Sequence, residues 1–297
     1  QAFVGDFGKS RIWSSPAEST YDAYMYRNAE GKIIGVVRIP NYTPELGGDQ
    51  AAADFSEIIQ HFETHTDAMI IDQLNNPGGS LFLVYTLASM LTEQSLFLPK
   101  NRVALTPSTV AQCAQILKMS DFVINDATAR MLYGPSIEGY PITYNFHLMT
   151  KNHCEFVISE YKQQKQISDP TWIWGFDKIN PYPGPRYTKS IVVMVNELDF
   201  SGGDWFPSIL QDNKIATIVG VRTAGAGGYI SQMSFPSSFG LNRIVFTGSL
   251  AERVDTSTIE NLGIKPDINI PMTALDYFSG FSYYKSKVRQ VLNSLLK

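Results

Sequence analysis

The run Ile191-Val-Val-Met-Val195, which reaches Ser201-Gly-Gly203 six residues later, restricts the folds open to this chain more than any other feature. Apolar residues in unbroken succession, with no polar alternation, describe a strand buried on both faces, the property of a parallel sheet covered by helices. Gly202 and Gly203 let the backbone turn, and Pro207 is tolerable in a first helical turn. Ile191 to Leu210 therefore reads as strand, tight turn, helix. The pattern recurs. Asp67-Ala-Met-Ile-Ile-Asp72 runs through Gln-Leu-Asn-Asn-Pro-Gly-Gly79 into helical spacing from Leu81 to Leu91. Two strand-turn-helix units predict an α/β fold.

The chemistry of the two turns follows from their place. A hydroxyl at residue 201 sits beside unpaired backbone N–H groups at the positive end of a helix dipole. That suits a nucleophile whose attack creates an oxyanion. It equally suits a helix cap, and caps far outnumber nucleophiles, so this segment alone favours the cap. Gly78 and Gly79 change the balance. Two glycines at a strand-to-helix turn admit close backbone approach and offer N–H groups to an anion. The pair of turns supplies both halves of an acyl-transfer site.

At these residues the chain resembles a known family. Ala68-Met-Ile-Ile-Asp-Gln-Leu-Asn-Asn-Pro-Gly-Gly79, Val219-Gly-Val-Arg-Thr-Ala-Gly-Ala-Gly-Gly228 and Ile259-Glu-Asn-Leu-Gly-Ile-Lys-Pro-Asp267 are similar, in order, to three motifs of the tail-specific (C-terminal-processing) serine peptidases. Leu198-Asp-Phe-Ser-Gly-Gly-Asp204, Arg222-Thr-Ala-Gly-Ala-Gly-Gly228 and Thr247-Gly-Ser-Leu-Ala251 resemble the branch of the chlamydial protease-like activity factor. The likeness spans most of Ile34 to Ile270. It implies a ClpP/crotonase-like α/β spiral core, Ser201 as nucleophile, and an oxyanion hole from Gly202 and the Gly78-Gly79 turn. Many members activate serine with a lysine in the glycine-rich segment, where this chain has Ala226, so a Ser-Lys dyad is excluded there. The branch that uses Ser, His and Glu remains, with Glu260 matching the acid that orients the imidazole. In that branch the histidine lies upstream of the part matched here, and the first histidine of this chain is His61. The chain therefore reads as a partial protein, or one half of a processed enzyme, inactive or very slow alone. The resemblance further implies a secreted or periplasmic setting and admits a homodimer.

The 297 residues are 44% hydrophobic and 18% charged, with a net charge of −4, enough for a substantial core. The mild acidity and the lack of a basic block argue against a nucleic-acid or anionic-membrane surface. No apolar run approaches the roughly 20 residues of a membrane span. Along the chain, Tyr21 to Tyr26 reads as an edge strand, Ile33 to Ile39 as a strand and Gln50 to Phe62 as an amphipathic helix. Pro99 to Pro185 reads as a largely helical insertion, with helices at Val110 to Met119 and His153 to Lys165. Its Pro/aromatic stretch from Asp169 to Arg186 is either a substrate-binding wall or lid, or an ordered loop that packs Trp172 and Trp174 on the core. The loop is the favoured reading. Strands resume through Ile218, Ile244 and Ile268, and Lys285 to Leu296 forms a terminal helix. One catalytic domain over 1–297, with 99–185 inserted, is the expected organisation.

Other candidates are weaker. His61 and His65, four apart on a helix, have metal-ligand spacing but no further ligands, and read as a solvated face. His147 and the pair His153-Cys154 invite Cys-His chemistry, yet adjacent residues rarely face each other, and the sequence leaves open that one of these histidines reaches Ser201 in space. Cys113 and Cys154 read as two unrelated buried thiols rather than a disulfide. Asp204 reads as a first-turn charge on the helix dipole. Glu252 and Asp255 stand as substitutes for Glu260. The glycine run Gly225-Ala-Gly-Gly228 lacks the Lys-Ser/Thr of a phosphate loop. The expected function is a serine endopeptidase acting on polypeptides through an acyl-enzyme, without metal or organic cofactor. The rivals are a non-catalytic peptide or ligand binder on the same fold, and a crotonase-type acyl-CoA enzyme.

Overall fold

A computed structural model describes residues 4–234 and 237–296. Its centre is a seven-stranded sheet in the order Trp13–Ser14, Ala23–Arg27, Ile33–Arg38, Ala68–Asp72, Ser190–Val195, Thr217–Gly220, Ile268–Asn269. From Ile33–Arg38 onward the pairing is parallel, and the first two strands pair antiparallel. The α/β core expected from the sequence is therefore present. The Tyr21 to Tyr26 stretch is displaced from its expected place at the edge: Trp13–Ser14, too short to leave a periodic signal, pairs outside it.

Ala68–Asp72 and, apart from half-buried Ser190, Ser190–Val195 are buried, because side chains of alternate residues feed two different cores. Met69, Ile71, Ile191, Val193 and Val195 point into the larger cluster, beneath the helices Gly48–His65, Leu81–Ser89 and Gly202–Asp212. Ala68, Ile70, Val192 and Met194 point into the other, which Val4, Phe7 and the terminal helix Ser282–Leu295 cover. Unbroken apolar sequence is the direct consequence of having no solvent face.

The segment expected as an insertion carries the helices Pro107–Ser120, Asp126–Tyr133 and Tyr144–Lys162 and a short 3₁₀ turn at Ile173–Gly175. A hairpin of Ile230–Ser234 and Arg243–Thr247 forms a separate two-stranded sheet whose side chains are mostly exposed. Among the described residues no helix is long and apolar enough to cross a membrane.

Candidate active site

The register of the two central strands brings the glycine turns together. Ser190 pairs with Ala68 and Met194 with Asp72, so both strands end level and their following turns lie side by side. The contact is close. A Cβ on Gly78 would stand 2.7 Å from the Gly202 N and 2.5 Å from the Phe200 carbonyl, and one on Gly202 would stand 3.3 Å from the Gly79 N. Gly78 also has φ 90°, a region side chains rarely adopt. Glycine is required at the junction because backbone meets backbone.

Ser201 opens the helix Gly202–Asp212 at φ 51° and ψ −112°, and its side chain makes no capping hydrogen bond. The cap favoured by the turn alone is thus not what this serine does. Its own N–H donates to the Ala226 carbonyl at 3.1 Å, while its carbonyl accepts from the Asp204 and Trp205 N–H groups. Backbone contacts hold the residue in a strained conformation, at a cost of about 1–3 kcal/mol. Among the described residues the hydroxyl has no hydrogen-bond partner, and Ser201 lies on the wall of a cavity of ≈ 910 Å³.

The amides around it divide cleanly. The Gly78 N–H donates to the Asn76 Oδ1 at 2.8 Å and is used up by that turn. Tyr42 anchors the turn by accepting from the Ser80 N–H and donating its N–H to the Gly78 carbonyl, both at 2.8 Å. Among the described residues the N–H groups of Gly79 and Gly202 have no acceptor. Asn76 and Tyr42 escape sequence reasoning, as do Gln73 and Asp199 behind them. A polar residue at a strand end has no periodicity, and the Asn-Pro-Gly-Gly signature says only that a turn occurs.

Glu260 lies across the glycine-rich segment from Ser201. Its Oε2 accepts from the Ala251 N–H at 2.7 Å, and its buried Oε1 has no partner among the described residues. Oε1 stands 3.0 Å from where a Cβ on Gly228 would be, so the glycine there makes room for the carboxylate. Burial pushes this carboxyl above the usual carboxylate range, and the backbone N–H groups of Ala251, Glu260 and Gly228 partly restrain it. The substitutes are occupied elsewhere: Glu252 pairs with Arg102, and Asp255 accepts from Ser257.

Asp204 departs from its expected role. It does stand in the first helical turn, but it is fully buried and accepts from the Thr223 hydroxyl (2.5 Å) and the Gly225 and Ala226 N–H groups (2.9 and 3.0 Å). It ties the glycine-rich segment to the helix instead of decorating a dipole. Burial raises its carboxyl above the ordinary range.

The remaining candidates sort as follows. His61 is stacked between Trp13 and His65, and no group of three ligating residues exists among the described residues. His147 is buried against the Tyr133 hydroxyl. His153 and Cys154 part company: His153 lines the Ser201 cavity, whereas Cys154 packs with Cys113 in a small cluster. The two thiols are thus neighbours and free, not unrelated. Trp172 and Trp174 pack on the core as expected, but Trp174 also lines the cavity, which makes that stretch a wall of the site.

Comparison with known proteins agrees with this geometry. A family model described as peptidase family S41 matches residues 33–270. A protein of Chlamydia muridarum is 40% identical over 96% of this chain, and one of Chlamydia trachomatis is 38% identical over the same share. The chain spans about half the length of these relatives, 49% in each case. The structure of mature CPAF, the chlamydial protease-like activity factor, superposes with a TM-score of 0.91 at 37% identity, covering 99% of this chain and 57% of that one. Mature CPAF complexed with lactacystin superposes with a TM-score of 0.90 at 36% identity, covering 99% and 58%.

Proposed function

This chain belongs to peptidase family S41, and we propose that it forms the catalytic part of a serine endopeptidase with Ser201 as its nucleophile. The observation that carries the reading is the junction of the two turns. There an uncommitted hydroxyl stands beside two backbone N–H groups, of Gly79 and Gly202, that have no acceptor among the described residues. The Ser201 Oγ attacks the peptide carbonyl, and the two amides receive the oxyanion that forms. Gly78 contributes shape in this scheme, since its N–H is already spent on Asn76.

Serine needs a base. The position of the family's lysine holds Ala226, which accepts no proton, and a histidine from outside this chain is the general base and then the acid. Glu260 orients it: the unpartnered Oε1 is an acceptor for an imidazole N–H, which fixes the tautomer and stabilises the cation. Polypeptides are the substrates, entering the cavity between the hairpin residues Ile230 to Met233 and the Trp174 wall. No step of this scheme uses a metal or an organic cofactor. A second reading, peptide binding without turnover, draws on the same cavity and on the lack of a base at residue 226.

One experiment separates the two. In the full-length protein that carries this chain, Ser201→Ala abolishes peptide cleavage while leaving the circular dichroism spectrum unchanged. A fluorophosphonate labels the unsubstituted protein and not the variant. Cleavage that survives the substitution removes the serine mechanism, and peptide binding with neither cleavage nor labelling supports the second reading.

A further inference from the structure

We propose that Asp199 is a positioning residue that sets the separation of the two oxyanion amides, an inference that rests on the serine-peptidase reading above. Asp199 is fully buried, and its carboxylate gathers donors from two turns far apart in sequence. Its Oδ1 accepts from the Asn76 N–H at 2.8 Å. Its Oδ2 accepts from the Asn196 N–H at 3.0 Å and from the Gln73 Nε2 at 3.3 Å. Its carbonyl accepts from the Ala224 N–H of the glycine-rich segment at 3.0 Å.

The bond to Asn196 is local and would be expected of any aspartate in a turn. The bonds to Asn76 and Gln73 are not: they cross from the nucleophile turn to the turn that carries Gly79. Gly79 lies three residues beyond Asn76 and Gly202 three beyond Asp199, so the brace fixes the roots of both amides. The Phe200 N–H donates to the Asn76 carbonyl at 2.9 Å in the same seam. An outer link joins Asn75 and Asn196, so Asp199 and the Phe200–Asn76 backbone bond share the inner spacing.

Gln73 extends the brace into the helix. Pro207 has no N–H to give the Gly203 carbonyl four residues before it. The Gln73 Nε2 fills that place at 2.8 Å, and the Tyr42 hydroxyl holds the Gln73 Oε1 at 3.0 Å. Burial pushes the Asp199 carboxyl well above the usual range, opposed by the N–H donors of Asn76, Asn196 and Gln73. An apolar side chain there would strand those donors. What a carboxylate adds is an acceptor that faces both turns at once. An oxyanion hole depends on that spacing, because donors must lie within about 3 Å of a charge that exists only in the transition state.

The test uses the full-length protein. Asp199→Asn keeps the shape but turns an NH₂ toward donors. The expected result is a kcat reduced about 100-fold or more, a KM within about threefold, and affinity for a peptide boronate reduced by the same factor as kcat/KM. An unchanged kcat overturns the proposal, as does a loss confined to KM or thermal midpoint with unchanged boronate affinity. Should Asp199→Asn fail to fold, Gln73→Met carries the test, with a loss of about tenfold in kcat at constant KM, and an unchanged kcat again overturns it. Ser201→Ala is measured alongside. If that variant still cleaves, the serine reading fails and takes this proposal with it. If it is inactive while Asp199→Asn retains full kcat, only the positioning role falls.

Discussion

At the scale of single residues, the proposed site keeps polar groups out of reach of one another. Ser201 is kept from capping its helix by a backbone that points it into the cavity, and Glu260 keeps one oxygen unpartnered. His153 on the same cavity wall follows a different rule. Burial holds its imidazole down to about 4, so it stays neutral in the folded chain at neutral pH. In the unfolded chain it titrates near 6.5, and a depressed folded value means that its contribution is complete above that pH. It is lost as pH falls from about 6.5 to about 4, where the unfolded state binds a proton the folded state refuses, and the loss is complete below about 4. The difference is worth about 2–3 kcal/mol. Thermal unfolding at pH 7.5 and 4.5 should show a smaller acid loss in His153→Gln than in the parent, and an equal loss in both would refute a buried neutral His153. Much of this was readable in advance: Ser201, the glycine pair and Glu260 each sit in a motif. Which glycine amide remains free was not, since it depends on where the Asn76 side chain turns. Asp199 stands two residues before Ser201, yet reads as one more turn aspartate until the strand register places Asn76 against it.

Elements explain why those residues meet. The helix Gly202–Asp212 runs through Pro207 at its sixth position, beyond the first turn where proline is expected. It tolerates this because Gln73 satisfies the carbonyl that proline abandons. No reading of the helix in isolation could find a partner 130 residues away. The glycine-rich segment 223–228 is equally dependent on outside support, and Asp204 supplies it through three hydrogen bonds. Asp204→Ala leaves the Thr223 hydroxyl and the Gly225 and Ala226 N–H groups without their acceptor inside the fold. The expected cost is about 3–5 kcal/mol. Hydrogen exchange locates it: the Gly225 and Ala226 amides should exchange far faster in the variant, while those of Ile191 to Val195 slow or quicken only with global stability. Unaltered protection at Gly225 and Ala226 would show that the segment holds itself. Because the Ala226 carbonyl receives the Ser201 N–H, loosening this segment also frees the Ser201 turn.

The whole molecule depends on covering a sheet that has no solvent face. An unbroken Ile-Val-Val-Met-Val strand announces that requirement, but not which segments meet it or that Trp13–Ser14 lies outside the tyrosine-rich strand. The site face is covered by the helices already described. The opposite face is closed largely by the terminal helix Ser282–Leu295, whose Tyr284, Val288 and Leu292 are fully buried among Ile70, Val192 and Met194. Val288 and Leu292 contribute about 1.5–3 kcal/mol each through burial, and the Tyr284 ring adds to that sum of about 3–6 kcal/mol. That is comparable with the entire net stability of an ordinary domain, about 5–15 kcal/mol. A chain truncated after Gly280 should therefore lose its cooperative urea transition, and Leu292→Ala alone should cost about 2–5 kcal/mol. Phe239→Ser, at a side chain 95% exposed on the hairpin, serves as the control and should stay within about 0.5 kcal/mol. The consequence reaches the site through the sheet that this helix covers. The strands ending at Asp72 and Val195 must stay level for the two glycine turns to meet, and their register is held from both faces. A truncated chain that still unfolded cooperatively near the parent midpoint would show that the site face alone maintains that register.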